Sequence, residues 1–257
     1  KLGKILEEHG SYEKVKVRVE KFIGEISKIE GGAKEAAKGA TGDIAIGGAT
    51  VAGQDAVPGE TASVNALVKG IKAIVAVVLK ENEGNADATK TREDESKTIG
   101  KLLGGKANDG EEAQAAAASA SIGAVSGADI LKAIAKAKED PQVNNADGIE
   151  KATDASEIAV APAKDDKKEI KEATAKKDAV IAGGIALRGM AKGGKFAVKN
   201  EEKSANAVNG AVASAVNKVL STLVIAIRNT VDEGLKGISE VLGEMKQGEG
   251  SETKVSE

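Results

Sequence analysis

Apolar residues in the last fifth of the chain recur every three or four positions, through a stretch that contains no proline. This spacing places them on one face of a helix. The pattern predicts a single C-terminal helix over residues 204–246, roughly 60 Å long at 1.5 Å per residue. Such a helix needs a packing partner, because isolated helices are only marginally stable in water. Its apolar face comprises Val208, Val212, Ala215, Val219, Leu223, Ile227, Val231, Leu235, Ile238, Leu242 and Met245.

A second apolar stripe with the same spacing runs through residues 1–30, between charged positions. Because this stripe is narrow, the helix it predicts needs a partner of matching length. Gly31 and Gly32 are expected to end it. We predict that the two terminal helices pack side by side, with both chain ends at the same pole. The stripe comprises Leu2, Ile5, His9, Tyr12, Val15, Val19, Phe22, Ile26 and Ile29.

Residues 33–200 alternate short helical patterns with polar loops. A helix is predicted over residues 61–80, with Thr61 or Ser63 as its cap, and one or two helices over 113–137. Residues 33–56 give only a weak helical signal, residues 99–103 fit a turn or two of helix, and 177–199 should be mainly buried. The tail at 248–257 is predicted to be disordered. Exposed loops are predicted at 81–96, 104–111, 139–156 and 161–169.

Composition supports one all-α domain over residues 1–257, an elongated helical bundle with long paired terminal helices. Aromatic residues make up 1% of the 257 residues, so Ala, Val, Ile and Leu must form the core. Small side chains favour closely packed helices. The longest uncharged run, 113–128, is too short and polar to cross a bilayer, and the apolar run at 204–227 is interrupted by Lys218.

Charge and cysteine content exclude several classes of function. The net charge of −3 gives no basic surplus for nucleic acid, and the absence of cysteine excludes disulfides and thiolate chemistry. His9 is the only histidine, and its place on the helical stripe marks it as a packing residue. The acidic clusters fit a solvated surface better than a metal site. They are Glu93, Asp94 and Glu95, then Asp165 and Asp166.

Three glycine-rich motifs resemble nucleotide-binding loops only in part. Residues 189–195 carry the glycines and lysine of a phosphate loop, but Phe196 replaces the hydroxyl residue that would bind magnesium. Residues 100–106 show the same partial match and are followed by Ala107. Residues 47–53 lack the surrounding βαβ pattern of a dinucleotide site. We therefore predict no catalytic residues, no metal and no cofactor.

Three longer segments carry a family resemblance. Residues 176–199, which include the run IALRGMAKGGKFAVK, resemble the invariant segment of the spirochaete surface antigens called VlsE and variable large proteins. Residues 214–232 resemble their constant C-terminal helix, and 124–131 resemble another framework segment. The sequence between these motifs is more similar to the variable large proteins of the relapsing-fever group than to VlsE.

This resemblance implies an antigenically variable lipoprotein on the outer face of the outer membrane. The family precursor carries a signal peptide and a lipidated cysteine, so a chain that starts at Lys1 is expected to be an ectodomain. The four loops would then be variable and face host antibodies, while the framework stays fixed. Plain connecting loops are the alternative.

Two other functions stay open at this point. The main alternative is an adhesin or host-factor binder for complement or plasminogen components, with Lys16, Lys167, Lys168 and Lys254 as candidate contacts. An intracellular scaffold or small-molecule enzyme is a third and weaker alternative. Oligomeric state does not follow from the sequence.

Overall fold

The computed structural model describes residues 1–40 and 49–252. This part of the chain is helical, and two isolated β-bridges, Ala40 with Ala191 and Val57 with Lys195, are its only extended pairings. The all-α prediction is confirmed. The helices are α1 (Leu2–His9), α2 (Glu13–Gly39), α3 (Thr61–Val78), α4 (Glu93–Thr98), α5 (Gly100–Gly104), α6 (Glu112–Ala124), α7 (Gly127–Lys136), α8 (Ala155–Ala159), α9 (Asp178–Met190) and α10 (Glu202–Glu252).

The N-terminal helix differs from the prediction in both its continuity and its end. The chain breaks between α1 and α2, and α2 then continues through Gly31 and Gly32 to Gly39. The chain stays helical here because α3 packs against Gly32. A methyl group on Gly32 would meet Ile74 and the carbonyl of Gly70, so these two helices approach to near backbone contact. Tertiary packing here overrides the tendency of glycine to end a helix.

The two terminal helices pair as predicted over part of their length. Val15, Val19 and Phe22 of α2 form a cluster with Ile238 of α10. The ring of Phe22 lies over Gly234, where a larger residue would collide with it. Further along the pair, the Lys14 ammonium lies 3.2 Å from the Glu244 carboxylate. The second half of α2 packs on α3 instead, so α10 is not its only partner.

The first half of α10 serves the central core rather than the terminal pair. It packs against α6, α7 and α9 through buried residues such as Val208, Ala215 and Val219. At 51 residues, α10 is roughly 75 Å long. It continues through residues 248–252, which were predicted to be disordered, and residues 253–257 lie outside the described part.

Several shorter elements agree with the sequence and others do not. The segment at 113–137 forms two helices, α6 and α7, and 99–103 forms α5 with a shift of one residue. Residues 49–60 are not helical, and 41–48 lie outside the description. The residue that caps α3 is Glu60, so the capping prediction was wrong. The Ser63 hydroxyl instead donates to the Gly39 carbonyl and accepts from the backbone N–H of Lys192.

Two helices, α3 and α10, are long and apolar enough to span a bilayer by length and composition alone. Of these two, the sequence had suggested only the apolar run at 204–227, and its interruption by Lys218 argued against a span. Half of the most apolar α3 window and 39% of the α10 window are buried inside the protein. The Lys218 ammonium within α10 is held by the carbonyls of Ile122 and Val125, at 2.8 and 2.5 Å. Much of their apolar surface therefore belongs to the core.

Candidate functional site

The centre of the molecule is α9, which is buried from Asp178 to Arg188. Small residues allow neighbouring elements to approach it closely. A methyl group on Gly184 would meet the side chain of Ile158 in α8, and one on Gly189 would meet Val212 in α10. The prediction that residues 177–199 are mainly buried is therefore confirmed.

The four predicted loops lie around this core, with some helix inside them. Residues 93–96 begin α4, residues 107–109 and 148–151 form single 3₁₀ turns, and 155–156 begin α8. Residues 161–169 are loop throughout. The loops expose Arg92, Asp94, Asn108, Gln142, Asn145, Asp165 and Asp166, among other side chains. The predicted loops are therefore mostly irregular, but only the loop at 81–96 is mainly exposed. The other three contain many half-buried and buried residues, such as Gly104, Ile149 and Ala161, so the prediction of exposure was wrong for much of their length.

Ion pairs connect these loops to one another. Lys167 lies 2.6 Å from Asp147, and Lys168 lies 2.7 Å from Asp109. Lys97 pairs with Glu169 at 3.0 Å, at the base of the loop. Hydrogen bonding to Lys167 holds the pKa of the Asp147 carboxyl below its usual value. The loop at 161–169 is therefore linked to the segments at 104–111 and 139–156.

The lysines proposed for host-factor binding divide into three groups. Lys167 and Lys168 are half-buried and already paired. Lys16 is exposed on α2, and Lys254 lies outside the described residues. The pairing of Lys167 and Lys168 weakens their candidacy, since a ligand would first have to displace Asp147 and Asp109.

The structure shows where the residues and motifs that resembled chemical sites lie. His9 is half-buried on α1, and Glu93 pairs with Lys176 at 2.5 Å. Residues 189–195 form the end of α9 and the turn after it, with Gly193 at φ 75°, and Gly194 packs on Arg188. Residues 100–106 contain α5, while 47–48 lie outside the description. The described residues contain no group of three metal-ligating side chains.

Asp178, at the first position of α9, is the centre of a buried hydrogen-bond cluster. One carboxylate oxygen accepts from the backbone N–H groups of Lys90 and Thr91, at 2.6 and 2.9 Å. The other accepts from the hydroxyls of Thr91 and Ser121, at 2.5 and 2.7 Å. A carboxylate at a helix N-terminus also interacts favourably with the helix dipole. Burial alone would raise the pKa of Asp178, but these hydrogen bonds outweigh it and lower the pKa.

Arg188, in the last turn of α9, is the centre of a second buried cluster. Its side chain is fully inaccessible to solvent. Nε donates to the Ala159 carbonyl at 3.0 Å, and Nη2 donates to those of Ile158 and Ala161 at 2.9 and 2.7 Å. Nη1 donates to the Leu103 carbonyl at 2.5 Å. All of these acceptors are backbone groups.

The Arg188 charge is therefore balanced by carbonyl dipoles. Ile158 and Ala159 are the last residues of α8, where carbonyls lack helical partners and carry partial negative charge. The guanidinium also lies 5.9 Å from the centre of the Phe196 ring, within the range of a cation–π interaction. Burial lowers the pKa of Arg188 to about 9, so it is still protonated at neutral pH.

The sequence alone did not identify Asp178 or Arg188 as candidate site residues. The available signal was a charge at each end of an otherwise apolar segment. Lys90 and Thr91 lie 88 and 87 positions from Asp178, and Leu103 lies 85 positions from Arg188. The groups that bind these two side chains are mostly main-chain N–H and carbonyl groups, which have no sequence signature.

Comparison with known proteins identifies the family. The family model described as Borrelia lipoprotein matches residues 1–242. The chain belongs to this family. It is 62% identical to variable large protein 17 of Borrelia hermsii over 229 residues, which are 88% of this chain and 64% of that protein. It is 60% identical to variable large protein 4 over 242 residues, which are 93% of this chain and 68% of that protein.

A solved relative confirms the fold. The crystal structure of the Lyme disease variable surface antigen VlsE of Borrelia burgdorferi matches with a TM-score of 0.75 and 34% identity, covering 93% of this chain and 81% of that one. The chain is thus more similar to these variable large proteins than to VlsE, as its sequence predicted. It spans about two thirds of the length of those two proteins.

Proposed function

We propose that this Borrelia lipoprotein is an antigenically variable protein of the outer cell surface, which evades host antibody by changing its loops on a fixed helical framework. The observation that carries the proposal is the complete burial of residues 178–188 among packed helices, with irregular and partly exposed segments outside them. An antibody meets the loops first. Substitutions at exposed loop positions typically change stability by less than about 0.5 kcal/mol, so the loops can vary at little cost to folding.

The proposed location is the outer face of the outer membrane, with attachment through an N-terminal lipid. Membership of a lipoprotein family and similarity to a surface antigen support this location. The proposed partners are host antibodies, and the proposal assigns the protein no catalytic activity. Protease treatment of intact cells that express the full-length protein, with and without blocked lipidation, tests the location.

The immune role is tested with serum raised against the folded protein. A loop variant carries alanine at Arg92, Asp94, Gln142, Asn145, Asp165 and Asp166, all of which are exposed. A matched control carries alanine at the exposed residues Lys16, Glu20, Lys21, Ser27, Lys28 and Glu30 of α2. The loop variant should lose most serum binding while circular dichroism stays unchanged. Loss confined to the α2 variant would overturn the proposal.

Binding of purified plasminogen and complement components to the same proteins distinguishes the adhesin alternative. That alternative predicts saturable binding that is lost when surface lysines are replaced, whereas an antigen without a host ligand shows none.

A further inference from the structure

We propose that Asp178 and Arg188 hold the loops by their backbone, so that loop conformation is preserved while loop side chains change. This role deepens the proposed function and rests on it. The two residues would be positioning residues of the framework, and the groups they bind would be the fixed points of the variable surface.

Main-chain groups are the decisive feature of both clusters. Five carbonyls bind Arg188, four at the distances given above and that of Lys195 at 3.5 Å, and two N–H groups bind Asp178. Every residue offers a carbonyl, and every residue except proline offers an N–H, whatever its side chain. Lys90 illustrates the point, because its N–H is held by Asp178 while its side chain is exposed.

The Arg188 contacts lie where two loops leave the framework. Leu103 immediately precedes the loop at 104–111, and Ala161 begins the loop at 161–169. A third link joins the same loops directly, since the Lys164 N–H donates to the Gly104 carbonyl at 2.8 Å. One planar guanidinium has five N–H donors in fixed directions and can hold several carbonyls at once, whereas an ammonium has only three donors.

The Asp178 contacts fix the middle of the loop at 81–96. Besides the bonds to Lys90 and Thr91, the Ala179 N–H at the start of α9 donates to the Ala88 carbonyl at 3.1 Å. The backbone of three loop residues, Ala88, Lys90 and Thr91, is therefore held from the start of α9. The side-chain partners of Asp178 are hydroxyl groups, from Thr91, Ser121 and, at 3.5 Å, Thr89, so this cluster tolerates less variation at 89 and 91 than at 90.

Arg188→Lys tests the first cluster, with Arg92→Lys as the matched control because Arg92 is exposed in a loop. Amide hydrogen exchange should rise at least tenfold in peptides covering 102–111 and 158–169 of the Arg188→Lys protein. Exchange in the pair formed by α2 and α10 should stay within twofold of the parent. Uniform change throughout the protein, or no change, would overturn the proposed role.

Asp178→Asn provides the second, independent measurement. It keeps the size of the side chain and should raise exchange in a peptide covering 86–93 while leaving 158–169 unaffected. If Arg188→Lys fails to fold, this regional pattern still decides the proposal for Asp178, and a uniform response would contradict it.

Loop replacement tests the purpose of the clusters. Residues 162–166 are exchanged for a sequence of equal length in the parent, in Asp178→Asn and in Arg188→Lys, so that the paired residues Lys167 and Lys168 stay in place. The parent should keep its melting temperature within about 3 °C, whereas the exchange in Arg188→Lys should lower it by much more than the sum of the separate changes. Additive effects would overturn the proposal. No antibody enters this experiment, so its failure would leave the proposed immune role to be judged separately by the serum test.

Discussion

Asp178 and Arg188 lie at opposite ends of α9, and each binds the backbone of surface segments rather than the other residue. Their separation of ten positions corresponds to a rise of about 15 Å along the helix. The negative group sits at the N-terminus and the positive group at the C-terminus, which is the favourable arrangement for both with respect to the helix dipole. One buried helix therefore carries two charged groups without an ion pair between them.

Asp178→Asn should lower stability most clearly at neutral pH. The lowered pKa of Asp178 means that its carboxylate contributes stability above the pKa of the unfolded chain, about 3.9. This contribution is lost as pH falls through the folded value. We expect a cost of about 1–3 kcal/mol at pH 7, from weakened hydrogen bonds to a buried group. Urea unfolding between pH 3 and pH 7 should show a shallower acid dependence in the variant.

Asp165→Asn is the control for this experiment, because Asp165 is exposed in a loop. Its stability should stay within about 0.5 kcal/mol of the parent. An Asp178→Asn protein with the parent's full acid dependence would show that other carboxylates carry the effect. Glu157 is one such group, since hydrogen bonds from Lys138 and Thr153 lower its pKa despite burial, which acts to raise it.

Gly31→Ala and Gly32→Ala should have opposite effects although the residues are adjacent. No atom lies within 4 Å of a methyl group placed on Gly31, so alanine there should stabilise α2 by about 0.5–1 kcal/mol. A methyl group on Gly32 would lie 2.7 Å from Ile74 Cγ1 and 2.8 Å from the Gly70 carbonyl oxygen. Alanine there should cost about 1–3 kcal/mol through overpacking. Thermal unfolding of both variants decides whether α2 and α3 are in near backbone contact.

The sequence predicted the helical class and the terminal pairing because apolar spacing reports directly on helix faces. Val208, Val212 and Val219 are all buried, as their spacing required. The sequence could not show that Gly32 stays helical. The cause is that Gly32 packs against Gly70, which lies 38 positions further along the chain. The same limit applies to Ser63, whose hydroxyl binds the end of another helix instead of capping its own.

The four loops of the candidate surface were also predictable only in part, from local composition. Polar, glycine-containing segments mark loops from composition alone, but composition did not show the short helical turns within them or the burial of residues such as Gly104, Ile149 and Ala161. The backbone groups that hold Arg188 could not be predicted, because any residue supplies a carbonyl. Charged residues within apolar segments are the one sequence signal that would have directed attention to α9.

Lys168→Gln should destabilise the protein by about 1 kcal/mol, at the upper end for ion pairs near a surface. The side chains of Lys168 and Asp109 are 22% and 18% exposed, so salt should screen this pair only weakly. Lys34→Gln is the control, because the Lys34 and Glu30 side chains are 73% and 62% exposed. Its effect should be no more than about 0.5 kcal/mol. Urea unfolding at low and high salt measures both effects. High salt should abolish the effect of Lys34→Gln on stability and leave most of the effect of Lys168→Gln.

Asp129→Ala should cost more than Ser126→Ala, although the two residues form one capping box at the start of α7. Ser126→Ala removes the bond between its hydroxyl and the Asp129 N–H, and losing such a cap costs about 1 kcal/mol. Asp129 also accepts from the Asn85 N–H at 2.6 Å, which joins the cap to the loop at 81–96. Burial opposes but does not cancel the hydrogen bonds that lower the pKa of Asp129.

Urea unfolding and amide exchange at Asn85 separate these two contributions. Asp129→Ala should reduce protection at Asn85, whereas Ser126→Ala should leave it near the parent value. The double variant should be less stable than Asp129→Ala alone, because the backbone N–H of residue 129 can still donate to the Ser126 hydroxyl after the Asp129 side chain is removed. Equal loss of Asn85 protection in both single variants would mean that the loop depends on the helix end as a whole rather than on the Asp129 carboxylate.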